Sequence, residues 1–261
     1  MSLAAIARRL ASMGGGGAVR LRKDGPIAHL TLDHPARRNA LERWDDGAAL
    51  LLSGAGGAFC AGLDLSAAEL RSAEGGAMMS ALMADTLHRL RQLPLLSVAA
   101  VDGAAVGGGA ELATAADWRV MAAAGSLHFV HAARGAAPGW GGGARLVELL
   151  GRAGALRLLA LGRRLDAPAA AALGLCDGIA AEGETAAAAA VRLLLAPALA
   201  HAASVDALRA IKRGVAGASE ISPEVRANEA AALALVWGSE ANRRMLAAAG
   251  KPKGGQGSPP S

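Results

Sequence analysis

Tyrosine is absent from the 261 residues and phenylalanine occurs twice. No mechanism that needs a phenolic hydroxyl is open to this chain, and most stacking platforms for single-stranded nucleic acid are missing. Cysteine occurs only at Cys60 and Cys176. That pair forms neither a disulfide framework nor a metal spacing, so reduced thiols and no metal site are expected, as in the cytosol or a matrix-like compartment. No apolar run reaches the roughly 20 residues that span a bilayer, and no membrane partner is expected. Lys+Arg 27 against Asp+Glu 22 gives a charge of +5 with no long basic run beyond the amino-terminal region. This balance argues against nucleic acid and suits phosphorylated or carboxylated small molecules.

What the chain has in quantity is small and apolar: hydrophobic residues make up 53%, many of them alanine, and there are 35 glycines. The length suits one large domain, or a domain with an appendage, around a helix-rich core. The start, MSLAAIARRLASMGGGGAVRLRK, is basic and has no acid before Asp24. It reads as an organelle transit peptide or as a disordered arm over 1–25. The cytosol is the expected location, with the mitochondrial matrix as the alternative. The tail, 251–261, reads as a disordered end.

From Pro26 short apolar runs alternate with helical stretches. IAHLTL (27–32), ALLLS (49–53), LLSVAAV (95–101) and WRVMAA (118–123) read as strands, and 66–93 as an amphipathic helix after an irregular start. That order predicts parallel pairing with right-handed crossovers, an α/β core over 26–183. Beyond Gly141 helices dominate: 145–150, 153–161, 168–173, 184–199, 206–215, 223–237 and 240–249, with CDGIA (176–180) as one last strand. Residues 184–250 are read as an all-helical carboxyl-terminal part.

Two glycine loops each follow a predicted buried strand: GGAFCAGLDL (56–65) and DGAAVGGGAEL (102–112). The second resembles a nucleotide loop only superficially. Leu112 stands where the third glycine of a dinucleotide fingerprint belongs, no GK[ST] follows, and Glu111 would repel pyrophosphate. Two strand-end amides aimed at one point instead make an oxyanion hole, whose single donors are each worth about 2.7–4 kcal/mol of barrier.

FCAGLDL, VDGAAVGGGAEL with ADWRV, and PGWGGGARL resemble the crotonase (enoyl-CoA hydratase/isomerase) superfamily. PGWGGGARLVELLG, HFVHAARG and VWGSEAN are most similar to its ethylmalonyl-CoA decarboxylase branch. The resemblance implies a crotonase-like spiral (ββα) core and trimeric or hexameric assembly through the helical carboxyl-terminal part. It also implies an acyl-CoA thioester whose carbonyl rests on the amides of Leu63 and Gly108. Coenzyme A then enters as part of the substrate, and no separate cofactor is implied. Arg38 and Ala40 in HPARRNAL, Ala61, Asp64, Gly107 and Trp140 would line the substrate site.

Glu111 matches one of the two acid/base glutamates of family hydratases, and His131 stands where the second belongs. A hydratase needs both acids to handle water and protons. A decarboxylase needs only an enolate-stabilising pair of amides, a poorly hydrating wall (Trp140, Phe129, Val130) and a proton donor, His131 or Glu111. The expected function is therefore decarboxylation of a short branched malonyl-type thioester, ethylmalonyl-CoA or methylmalonyl-CoA. A hydratase/isomerase, or an impaired isoform that only binds CoA, is the alternative. Read without the resemblance, Glu111 is a first-turn carboxylate, His131 a core or edge histidine, and Trp140 a packing or trimer residue.

One departure from the family pattern stands out. NAL (39–41) runs directly into ERWDDG and the next strand, leaving no room for the long crossover helix that relatives carry there. Its loss is expected to expose apolar sheet surface and loosen the RRNAL loop.

Overall fold

A computed structural model describes residues 18–24, 27–33, 47–63, 72–218 and 221–249. Arg38, Ala40, Asp64, the short connection at 34–46, the basic segment 1–17 and the tail at 251–261 lie outside the described residues.

The chain begins with β1 (Ala18–Asp24) and β2 (Ile27–Asp33), an antiparallel pair. β3 (Ala49–Gly54) follows, then α1 (Ala73–Gln92), β4 (Leu96–Val101) and β5 (Ala104–Val106). Next come α2 (Gly108–Ala113), β6 (Trp118–Met121), β7 (Ser126–His128) and a 3-10 turn at Ala132–Arg134. α3 (Gly142–Leu161), β8 (Arg164–Asp166), α4 (Ala167–Ala172) and β9 (Gly178–Ile179) complete the mixed region. The remainder is helical: α5 (Ala186–Ala190), a π-helical turn (Val191–Leu195), α6 (Ala196–His201), α7 (Val205–Ala218), α8 (Pro223–Val236) and α9 (Glu240–Ala249).

The strands form a sheet ordered β1-β2-β3-β4-β6-β9 and a smaller sheet β5-β7-β8. Within the larger sheet all pairs from β2 to β9 are parallel, as the strand–helix–strand order predicts, whereas β7 and β8 of the smaller sheet are antiparallel. The arm expected over 1–25 is shorter than the sequence suggests, because 18–24 pairs along the whole of β2. The alternation that marks β1, Val19, Leu21 against Arg20, Arg22, is masked by its basic residues.

β3 is buried on both faces, with Ala49 to Leu52 at 2% exposure or less. The apolar exposure expected if a crossover helix were lost is not found on this strand. One face, including Leu52, Ala99, Val101 and Met121, packs with Leu87 of α1 and Leu146 of α3. The other, including Ala49, Leu51, Val98 and Val120, is covered by Ala186, Ala189, Ala190 and Leu195. The segment assigned from sequence to the carboxyl-terminal helical part thus begins as a lid on the sheet. Alanine makes this possible, since helix and sheet approach closely where side chains are small. Thr185 Oγ1 caps the lid's first turn through Ala188 N, and Asp102 fixes it to the end of β4 through Ala186 N at 2.7 Å.

Candidate active site

The first glycine loop does not end at its turn. Phe59 N and Cys60 N both donate to Ala104 O, Val106 N donates to Cys60 O at 2.9 Å, and Cys60 pairs with Ala105 in a parallel bridge. These bonds lay residues 59–62 against the start of the second loop, backbone on backbone. A Cβ at Gly109 would sit 2.0 Å from Cys60 O, so that position tolerates no side chain. Gly62 has φ +86°, and a Cβ there would come within 3.0 Å of Gly108 N and 2.8 Å of Val106 O. Glycine at 62 therefore keeps the Gly108 amide uncovered.

The three glycines of the second loop have different tasks. Gly107 N donates to His128 O at 2.8 Å and ties the loop to β7. Gly108 is the first residue of α2, where the helix supplies no acceptor for its amide. Gly109 gives the close approach to Cys60. Among the described residues, neither Gly108 N nor Leu63 N has a hydrogen-bond partner, whereas Gly62 N donates to Cys60 Sγ at 3.4 Å. The loops are thus brought together where Gly62 meets Gly108 N, one of the two amides singled out from sequence. Ala61 is exposed and Leu63 half-buried beside them.

Trp140 packs its ring on Gly108, where an added Cβ would lie 2.5 Å from two ring carbons. Val130 flanks the same loop, its Cγ2 3.5 Å from a Cβ placed on Gly107. Phe129 does not join this wall. It is fully buried in the core, its ring centroid 6.5 Å from that of His131.

Glu111, 2% exposed, turns away from its own helix. Its Oε2 accepts from Trp140 N at 2.8 Å and Gly142 N at 2.9 Å, and its Oε1 accepts from Gly139 N at 3.5 Å. His131 Nε2 lies 3.0 Å from the same Oε1. Glu111 stands in the first turn of α2, as read from sequence, but its carboxylate caps the start of α3. Burial raises its pKa, but the His131 hydrogen bond, the charges of His131 and Arg145, and the Trp140 amide together hold it below the ordinary carboxylate value. It is a fixed anion with its lone pairs occupied.

With Nε2 engaged by an anion, His131 carries a proton on that nitrogen. Its Nδ1 is buried and has no hydrogen-bond partner among the described residues. Arg145, also 2% exposed, donates to Thr114 Oγ1, Glu111 O and Trp140 O. Burial pulls its pKa down to about 10, against the opposing pull of Glu111 and Glu229. The cation is committed to the scaffold.

Glu229 of α8 escaped the sequence reading. Its Oε1 accepts from Gly141 N at 2.6 Å and its Oε2 from Ala144 N at 3.1 Å, across 88 residues in the first case. An acid inside the alanine run ANEAAALAL was the available signal. Ser80 of α1 is a second missed contact, donating from Oγ to Gly139 O at 2.6 Å. No cluster of metal-ligating side chains occurs among the described residues.

A family model described as enoyl-CoA hydratase/isomerase matches residues 38–235. The ethylmalonyl-CoA decarboxylase of Danio rerio is 39% identical over 91% of this chain and 85% of its own length. The solved structure of Pseudomonas aeruginosa DspI is 32% identical, with a TM-score of 0.67 over 79% of this chain and 89% of that one. The enoyl-CoA hydratase of Bacillus halodurans, 20% identical, superposes with a TM-score of 0.76 over 88% of this chain and 99% of its own, a likeness of fold.

Proposed function

The chain belongs to the enoyl-CoA hydratase/isomerase family, and we propose that it is an acyl-CoA decarboxylase releasing CO2 from ethylmalonyl-CoA or methylmalonyl-CoA. The carrying observation is the pair of loops that leaves Leu63 N and Gly108 N without partners beside an apolar wall.

In this reading the thioester oxygen accepts from both amides. As the bond to the carboxylate carbon breaks, its electron pair moves into an enolate whose oxygen the amides already hold. Preorganised donors of this kind are worth most where water is excluded. Trp140 and Val130 face the departing carboxylate with hydrocarbon, and Arg145 is turned into the scaffold, so the carboxylate exchanges hydration for little in return. In its doubly protonated form His131 gives its Nδ1 proton to the enolate carbon and is left neutral with Nε2–H on Glu111, and solvent returns the proton after product leaves. Glu111 serves as the anion that orients His131 and Trp140.

The hydratase reading is less well supported, since hydration asks two free acid/base groups of the site and the Glu111 carboxylate is saturated by donors. Incubation with ethylmalonyl-CoA labelled with 13C in the free carboxyl tests the proposal. Labelled CO2 with one equivalent of butyryl-CoA is expected. No release, together with hydration of crotonyl-CoA, would overturn it.

A further inference from the structure

The amino end of a long helix is ordinarily a ready place for an anion, because its first amides lack intrahelical acceptors and the dipole is positive there. α3 presents such an end immediately after Trp140, the residue packed on Gly108. A malonyl-type carboxylate docked there would be well solvated and slow to leave.

In this protein that end is filled twice. Glu111 takes Trp140 N and Gly142 N, while Glu229 takes Gly141 N and Ala144 N. Capping alone does not require this arrangement, since single hydroxyls, Ser72 on α1 and Ser222 on α8, suffice elsewhere in the molecule. The two acids also work against each other: burial and then the Glu111 charge push the Glu229 carboxyl above its ordinary value. Glu229 is reachable, lining a cavity of about 270 Å³ with Ser80, Asp85, Gly139, Arg226 and Ala230.

We propose that Glu229, acting with Glu111, is a specificity-determining residue that denies the α3 amino end to the substrate's carboxylate and leaves that group poorly stabilised against Trp140. The inference rests on the thioester-decarboxylase reading above. Its signature separates from simple damage. Neutralising Glu229 lets a carboxylated ligand bind more tightly while slowing its decarboxylation, so KM and kcat fall together, whereas a loosened site raises KM.

The test uses two probes that do not react, butyryl-CoA and 2-sulfobutyryl-CoA, which carries the negative charge but cannot lose CO2. Calorimetric titration of the native protein is expected to show weaker binding of the sulfonate than of butyryl-CoA. Glu229→Gln is expected to shift that ratio toward the sulfonate by about tenfold, the scale of one like charge roughly 12 Å away at an effective dielectric near 20. Glu229→Asp, which keeps the charge, should restore the native ratio. Tighter binding of the sulfonate by native protein overturns the inference even if the variants do not fold. So does an unchanged ratio in Glu229→Gln, and in that case binding of butyryl-CoA leaves the thioester reading standing. Binding of neither probe overturns the thioester reading itself, and this inference with it.

Discussion

At the scale of single residues the site is defined by what two side chains are prevented from doing. Glu111 cannot act as a free acid, because four donors converge on its carboxylate. Its pKa is held below the value of an unfolded glutamate. The stability it contributes is therefore present above the ordinary carboxylate pKa of about 4.3 and is lost as pH falls through the lower folded value. Urea unfolding between pH 7 and pH 3 is expected to show this loss in the native protein. Glu111→Gln should start roughly 2–4 kcal/mol less stable and show a flatter acid limb, since a neutral amide has no charge to lose. Parallel acid limbs would contradict the assignment.

His131 is constrained differently: one nitrogen is held by Glu111 and the other has no partner among the described residues. Turnover of ethylmalonyl-CoA in D2O should place deuterium on one face of the butyryl-CoA α-carbon. His131→Gln should slow turnover by about 10²-fold, as for loss of a general acid, and give both faces. Stereospecific deuteration retained in that variant would assign the proton to another group.

At the scale of elements, legibility followed length and periodicity. The apolar runs of β3 and β4 and the long helices stand where composition and spacing placed them, and the family motifs led to Leu63, Gly108, Glu111, His131 and Trp140. β5, β7 and β8 were not legible because three residues carry no period. Yet β5 holds Cys60 against Ala105 and so aligns the two loops. Glu229 was not legible as a site residue because its partners lie 85 and 88 residues away. Between the helices predicted at 145–150 and 153–161, Gly151 has φ 67° and ψ 167°, a break inside α3. A Cβ at Gly151 would meet nothing within 4 Å, so alanine there brings only backbone strain, about 1–3 kcal/mol. Urea unfolding of Gly151→Ala should show that loss with CO2 release unchanged. A stabilised variant would mean the break is not intrinsic to α3.

At the scale of the whole molecule, apolar side chains remain exposed on the helical layer: Leu235 at 85%, Ile211 and Val215 at 61%, Leu161 at 57%. The trimer or hexamer expected from the resemblance would offer such side chains a surface to bury against. Sedimentation should give such a species, with a melting temperature that falls on dilution. A monomer whose melting temperature ignores concentration would contradict it.

The two glycine loops and the capped start of α3 meet in one small region, where Gly62 leaves the Gly108 amide uncovered. Infrared difference spectroscopy of bound butyryl-CoA, labelled with 13C at the thioester carbonyl, reads that region directly. The carbonyl band should move to lower frequency on binding to the native protein and return toward its solution position in Gly62→Ala, with CO2 release falling about 10²–10³-fold. A band at the solution frequency in both proteins would contradict a reaction carried by the backbone.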